Sequence, residues 1–189
     1  EGGNSELTSG YLAVRNGGSV SAKVTGTGDT SVEMQAVDIL LDKGTVKAEI
    51  GSNGTSGILM LVGMLHWNTD SYGIINEMGS IGILNNSTVL ASVAQGNSWE
   101  EFYVNKMDVK DSSVKALVTT GTGYSTITFY PDSSPDSYYQ SRLITIDNGL
   151  IIADVAGTGE GWSLSEIQFG YQPGILYFDD IGLDIKNDS

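Results

Sequence analysis

The feature that most constrains this chain is a two-residue alternation of apolar and polar side chains along most of its length. The stretch GSVSAKV (18–24) alternates Val and Ala with Ser and Lys, and the same pattern recurs in SVEMQAV (31–37), SSVKALV (112–118) and STITFY (125–130). Such alternation is typical of β-strands with one buried and one exposed face. The best helix candidate, SWEEFYVNKM (98–107), suits a strand at least as well, so the sequence predicts an all-β protein.

Turn-forming residues separate these segments every eight to twelve residues or so. The pieces are Asn16-Gly17-Gly18, Asp42-Lys43-Gly44, Asn53-Gly54, Asn85-Asn86 and Asp147-Asn148-Gly149. Asn-Gly and similar pairs supply the positive φ angles that hairpin turns require. About a dozen short strands in one Gly-rich chain therefore predict an antiparallel two-sheet β-sandwich of the jelly-roll type.

A chain of 189 residues without a shift in composition indicates one domain. We expect residues 15–189 to form the sandwich and residues 1–14 to form an N-terminal strand. The apolar run GILMLVGML (57–65) is much shorter than the roughly 20 residues of a membrane helix, so it predicts a buried strand.

A short internal repeat, Gly-Thr-Gly, follows a Val-bearing strand three times. The copies are VTGTGD (24–29), TTGTGY (119–124) and VAGTGE (155–160). No Lys-Ser/Thr pair follows any copy, as a phosphate-binding loop would require. We interpret the three copies of this repeat as three equivalent corners of the sandwich.

The charge balance restricts the possible partners. The chain has 9 Lys and Arg against 23 Asp and Glu, a net charge of −14. Such a surface repels nucleic acid and anionic membranes and favours divalent cations or basic partners.

An extracellular location is the expected one. The chain has no cysteine, and it begins at Glu1 with neither Met nor an apolar leader, as a secreted form does after signal removal. Sequons at Asn53, Asn85, Asn86 and Asn187 are candidate glycosylation sites on such a surface.

Catalytic residues are hard to place. The single histidine, His66, could pair with Asp70 as a base, but no Gly-x-Ser-x-Gly elbow supplies a nucleophile. Acidic pairs such as Glu100-Glu101 do not follow the Glu-x-Asp-x-x-Glu pattern of sandwich-fold glucanases. We therefore expect a protein that is not an enzyme.

Calcium is the expected cofactor because its six to eight oxygen ligands can come from loops that are distant in sequence. Asp132 and Asp136 lie in the Pro-containing stretch YPDSSPDSYY, and Asp29 and Glu160 follow Gly-Thr-Gly. Each of these acids could equally be a solvated loop residue.

The stretch GILYFDDIGLDI (174–185) resembles the closing strand of jelly-roll carbohydrate-binding modules, many of which contain a structural calcium. The resemblance implies that Asp180 ligates the ion, while Asp179 faces a turn or solvent. Glu6 or Glu1 would supply an N-terminal ligand.

Those modules also stack sugars on exposed aromatic rings. The candidates for that role are Trp67, Trp99, Trp162, Tyr138 and Tyr139. For Trp99 and Trp162, a buried position in the core is the expected alternative.

In overall character the chain is similar to extracellular archaeal filament subunits of the cannula type. That similarity implies calcium at subunit contacts and an N-terminal strand donated to the next subunit. The contact residues would be Leu7, Tyr11, Leu12, Ala13 and Val14. Alternatively, residues 1–14 form the domain's own first strand.

The sequence leaves three hypotheses for function. The leading one is a self-assembling extracellular filament or tubule subunit, a homopolymer with divalent cations at its contacts. The alternative is a non-catalytic carbohydrate-binding module with glycans as partners and a structural calcium. A sandwich-type hydrolase or lyase ranks third.

Overall fold

Strands account for most of the described chain, and every strand pairing is parallel. The computed structural model describes residues 2–62, 79–104, 106–130, 142–156, 164–169 and 181–186. The strands of this part of the chain are β1 Gly3–Thr8, β2 Tyr11–Arg15, β3 Ser19–Val24, β4 Gly28–Ala36, β5 Asp38–Asp42, β6 Thr45–Val62, β7 Ser80–Leu84, β8 Thr88–Tyr103, β9 Lys106–Lys110, β10 Ser113–Val118, β11 Gly123–Tyr130, β12 Arg142–Asp147, β13 Leu150–Val155, β14 Leu164–Phe169 and β15 Ile181–Lys186.

The backbone winds as a parallel β-solenoid, in which each strand pairs with its equivalent one coil later. Tyr11 lies opposite Asp38, 27 residues on (11 to 38), and Ser80 lies opposite Lys106, 26 residues on (80 to 106). Each coil contacts only the coils before and after it, as in other solenoid proteins.

Each coil has three sides. The first side is the six-stranded sheet β2-β5-β7-β9-β12-β15. The nine-stranded sheet supplies the other two, because β6 and β8 each run along both sides and bend between them, with a register shift between Ile50 and Asn53. The second side contains β3, the first halves of β6 and β8, β10 and β13. The third contains β1, β4, the second halves of β6 and β8, β11 and β14.

The prediction of an antiparallel jelly-roll sandwich is wrong, because both sheets contain parallel pairs only. The prediction of an all-β chain agrees with the described residues, and the helix candidate 98–107 contributes instead to β8 and β9. Alternation reports which face of a strand is buried, and that face is equally half-buried in either strand direction.

Of the five predicted hairpin turns, Asn53-Gly54 lies at the bend within β6, and the other four are corners of the coil where the chain passes from the first side to the second. Left-handed φ angles recur there at Asn16, Lys43, Asn85, Asp111 and Asn148, between 47° and 58°. The corners stack: the amide of Asn85, for example, donates to the carbonyl of Lys110 in the next coil. Asn and Asp tolerate this conformation better than most residues, which explains their recurrence.

A column of glycines forms the bend between the second and third sides. Gly28, Gly54, Gly96 and Gly123 lie in register on successive coils. A Cβ on Gly54 would overlap the carbonyl oxygen of Gly28, and a Cβ on Gly96 would overlap that of Gly54. The first two Gly-Thr-Gly copies therefore do occupy equivalent corners, of a solenoid rather than a sandwich. The third copy lies largely outside the described residues.

Inward side chains stack in columns that fill the solenoid. On the first side, Leu41, Ile83, Val109 and Ile146 form one such column, and on the second side Ala48, Ala91 and Ala116 form another. All of these are at most 6% exposed. The described part of the run 57–65 lies in β6 and buries Ile58, Met60 and Val62, as expected of a buried strand.

No helix of the described residues is long and apolar enough to cross a membrane.

Three buried serines connect the second and third sides across the bend. Ser56, Ser98 and Ser125 lie in register on successive coils. The hydroxyl of Ser98 donates to the carbonyl of Ala91 in its own coil (2.8 Å) and accepts from the amide of Leu117 in the next (3.1 Å). Ser56 and Ser125 repeat this pair of bonds, so each hydroxyl joins two sides and two coils.

One carboxyl group lies inside this core. Glu100 is fully buried in the column between Ile58 and Ile127, where its Oε1 accepts from the amide of Ala91 and its Oε2 has no hydrogen-bond partner. Burial raises the pKa of Glu100 well above its usual range, and the backbone amides of Ala91 and Lys115 only partly offset this. Burial therefore favours the neutral, protonated form of this side chain over the charged form.

Gly96→Ala should destabilise the solenoid by roughly 1–3 kcal/mol, because the left-handed φ of 117° and the overlap with Gly54 both oppose a side chain there. Urea unfolding followed by circular dichroism measures the change. Gly26→Ala is the control, since a Cβ at Gly26 meets nothing within 4 Å. Equal stability of the two variants would contradict the assigned corner.

Glu100→Gln should remove part of the pH dependence of stability. The unfolded carboxyl ionises near its ordinary pKa of about 4.3, whereas the folded one stays protonated to higher pH. Its contribution to stability is therefore complete below about pH 4 and declines as the pH rises toward the folded pKa. The melting temperature of the variant should exceed that of the wild type by a margin that grows from pH 5 to pH 8 or so. A constant margin, or the same growth in the outer-face control Glu33→Gln, would contradict the assignment.

Candidate functional site

The outward face of the third side contains a shallow groove of about 280 Å³ around Trp99. Strands β8 and β11 position its side chains, because outward residues alternate along both strands and the two strands are in register. Asn97 lies opposite Tyr124 and Trp99 lies opposite Thr126. The groove is lined by Asn97, Ser98, Trp99, Glu101, Tyr124 and Thr126.

Trp99 lies against the neighbouring coil at Gly57. A Cβ on Gly57 would overlap the indole atoms Cδ2, Cε2 and Cζ2 of Trp99. The absence of a side chain at Gly57 therefore lets the indole approach the sheet backbone, with the ring half-buried. Tyr124, in the next coil, is 48% exposed.

Polar groups in the groove stand beside these rings. Glu101 has its carboxyl partly buried, and this burial raises its pKa. The amide of Asn97 and the hydroxyl of Thr126 add a donor and acceptors on either side. A ring platform with an amide, a hydroxyl and a carboxyl around it can bind a small polar ring through stacking and hydrogen bonds.

Two further tyrosines extend the aromatic surface along the same face. The rings of Tyr103 and Tyr130 stack with their centroids 4.6 Å apart and their planes at 24°. Burial, and then the nearby charge of Glu101, raise the pKa of both phenols, and the proximity of Tyr130 further raises the pKa of Tyr103. The stack covers one face of each of these two rings.

The expected core position of Trp99 is wrong, because its ring lies on the outer face. Of the aromatic candidates for sugar stacking, Trp99 is the one that the structure describes. Trp67, Trp162, Tyr138 and Tyr139 lie outside the described residues, as do His66 and Asp70. Tyr124 and Glu101 were missed as groove residues, although both alternate with residues of the core.

A second, larger groove of about 610 Å³ follows the corner between the first and second sides, lined in part by Asn85, Asn86, Asp111 and Asn148. Its amides are bonded within the corner: the side chain of Asn85 donates to Asp42 (2.8 Å) and that of Asn148 donates to Asp111 (2.7 Å). The sequon residues Asn53, Asn85 and Asn86 are exposed, and their glycosylation stays a prediction.

The structure describes two of the proposed calcium ligands and does not bring them together. Glu6 lies opposite Glu33 on exposed β1, whereas the Oδ1 of Asp29 accepts from the amide of Thr55 (3.1 Å). Across the described ranges, no three Asp, Glu or His side chains are grouped so as to hold a metal. The remaining candidates lie outside the described residues: Glu1, Asp132, Asp136, Glu160, Asp179 and Asp180.

The proposed subunit-contact residues belong to the first strands of both sheets. Strand β1 pairs with β4 and β2 pairs with β5 of the same chain, each as the outermost strand of its side. Val14 and Leu12 point inward, whereas Tyr11 is 50% exposed and its hydroxyl accepts from Arg15 (3.0 Å). Leu7 packs partly buried against the core, and Ala13 is exposed.

No protein-family model matches this sequence, and no curated protein or solved structure matches the chain. What we infer about its function therefore depends on its own residues.

Proposed function

We propose that this chain is an extracellular structural protein that assembles by β-strand addition, coil upon coil, with divalent cations at the contacts. The observation that supports this best is the C-terminal end of the described solenoid. Ile185 continues the inward column of Val109 and Ile146, yet it is 57% exposed, and Ile167 continues the column of Ile127 and is 39% exposed. Apolar columns that end uncovered favour burial by a further coil.

The two ends of the solenoid have complementary edges. A second copy could place its β2 on β15 and its β1 on β14, in each case adding a parallel strand to an edge that no other described strand covers. Val14 and Ile185 occupy the same inward column, so this arrangement would bring them together. The N-terminal strands would then contribute their edges to a contact, rather than being exchanged.

Such a junction is weaker than the contact between coils of one chain. In this arrangement β2 of the second copy lies on β15 of the first, and β1 of the second copy lies on β14 of the first. On the second side, no described strand of either copy then fills the position between β13 of the first copy and β3 of the second. Each copy also carries a net charge of −14, so stacking brings like charges together. Divalent cations would reduce this repulsion, which supports their place in the proposal.

A non-catalytic role is consistent with the position of the carboxyl groups. Glycoside hydrolysis uses two carboxyls that flank one bond. In the groove at Trp99, Glu101 is the one carboxyl-bearing residue of the described lining, and Glu100 is enclosed in the core.

Ile185→Lys should abolish assembly, because a lysine at the open edge places a charge where the next coil would bury an apolar side chain. Sedimentation velocity and negative-stain microscopy in millimolar Ca²⁺ should show linear particles for the wild type and monomers for the variant. The matched control Asn53→Lys adds the same charge at an exposed position in β6 and should assemble normally.

Both lysine variants lower the net negative charge, so loss of assembly in Ile185→Lys alone cannot come from electrostatic repulsion. Wild-type protein that remains monomeric in Ca²⁺, or Ile185→Lys that assembles like the control, would overturn the proposal. Assembly in NaCl of equal ionic strength to the same extent as in Ca²⁺ would remove divalent cations from it.

A further inference from the structure

We infer that the groove at Trp99 is a binding subsite for a neutral polysaccharide. This inference goes beyond assembly, since the groove lies on the outward face of the third side and the assembly contacts lie at the two ends of the solenoid.

The groove contains an aromatic platform. Trp99 rests against Gly57, so the sheet backbone supports its indole, and Tyr124 stands diagonally across from it on the adjacent strand. Positions two residues apart on neighbouring strands are separated by about 8 Å between Cα atoms, from a spacing of about 4.8 Å between strands and 3.3 Å per residue. A pyranose ring could contact both side chains at once, because its axial C–H groups form an apolar face that stacks on aromatic rings.

The groove also contains polar side chains around this platform. Hydroxyl groups of a sugar need donors and acceptors at the edge of the platform, and Asn97, Glu101 and Thr126 supply both kinds. The volume of about 280 Å³ is at the small end of ligand pockets, which suits one sugar unit of a chain that continues across the open face.

The charge of the protein selects the class of sugar. Glu101 lies in the groove and the chain carries −14 overall, so uronic acids and sulfated sugars would be repelled. The groove therefore takes uncharged hexose or pentose polymers, which it recognises by stacking and hydrogen bonds.

The test is native affinity electrophoresis of the monomeric fraction in gels that contain one polysaccharide each: β-glucan, mannan, xylan or galactan, with polygalacturonate as the anionic arm. At least one neutral polymer should retard the wild type. Trp99→Ala and Tyr124→Ala should each weaken the interaction by roughly tenfold, the effect of losing one stacking ring. Tyr11→Ala is the matched control, because Tyr11 is 50% exposed against 48% for Tyr124 but lies on the first side.

Trp99→Ala could disturb folding because it removes the contact of Trp99 with Gly57. Tyr124→Ala tests the groove without that effect, since the ring of Tyr124 is exposed and does not take part in this contact. The circular dichroism spectrum and melting temperature of each variant are measured alongside. The assembly-blocked Ile185→Lys should be retarded like the wild type, which separates failure of this inference from failure of the proposed function. No retardation by any neutral polymer, retardation by polygalacturonate alone, or undiminished binding in both groove variants would overturn it.

Discussion

The structure depends on one constraint, the in-register parallel pairing of each coil with the next. Since residue positions repeat along the axis at the spacing of neighbouring strands, about 4.8 Å, each side chain stacks on its equivalent in the next coil. This repetition produces the columns of alanine, serine and glycine. A side chain that suits one coil must also suit the neighbours above and below it, which explains why the bend tolerates only glycine over several coils.

The serine column shows how this constraint is met where the sheet bends. A bend interrupts the ladder of backbone hydrogen bonds, and unpaired buried amides and carbonyls are costly. The hydroxyls of Ser56, Ser98 and Ser125 each accept from one amide and donate to one carbonyl, so the interruption is repaired once in each of three coils. Glu100 is the exception in the same region, because one of its carboxyl oxygens is buried without a hydrogen-bond partner. The core can accommodate this carboxyl because burial favours its neutral form.

Much of the strand content followed from the sequence, but the direction of the strands did not. Alternation in 19–24 or 113–118 has the same form in an antiparallel sandwich and in a solenoid, and a left-handed Asn16 suits a corner as well as a hairpin. The decisive signal is a coil period of 25 to 27 residues. It appears in only part of the chain, because long connections separate β6 from β7, β11 from β12 and β14 from β15. The groove was missed for a related reason. Adjacent Glu100 and Glu101 in an alternating strand must point to opposite faces, so one enters the core and the other joins Trp99 outside.

The distribution of connection lengths has a consequence for how such a chain can change. All three long connections join the third side to the first, whereas Val37 alone links β4 to β5 and residues 104–105 link β8 to β9 at the same corner. Length thus differs most at this corner, whereas each link from the first side to the second has two or three residues. The short links at 37 and 104–105 are therefore the natural points at which to graft a foreign loop, and whole coils bounded by them are units that duplication or deletion could add or remove.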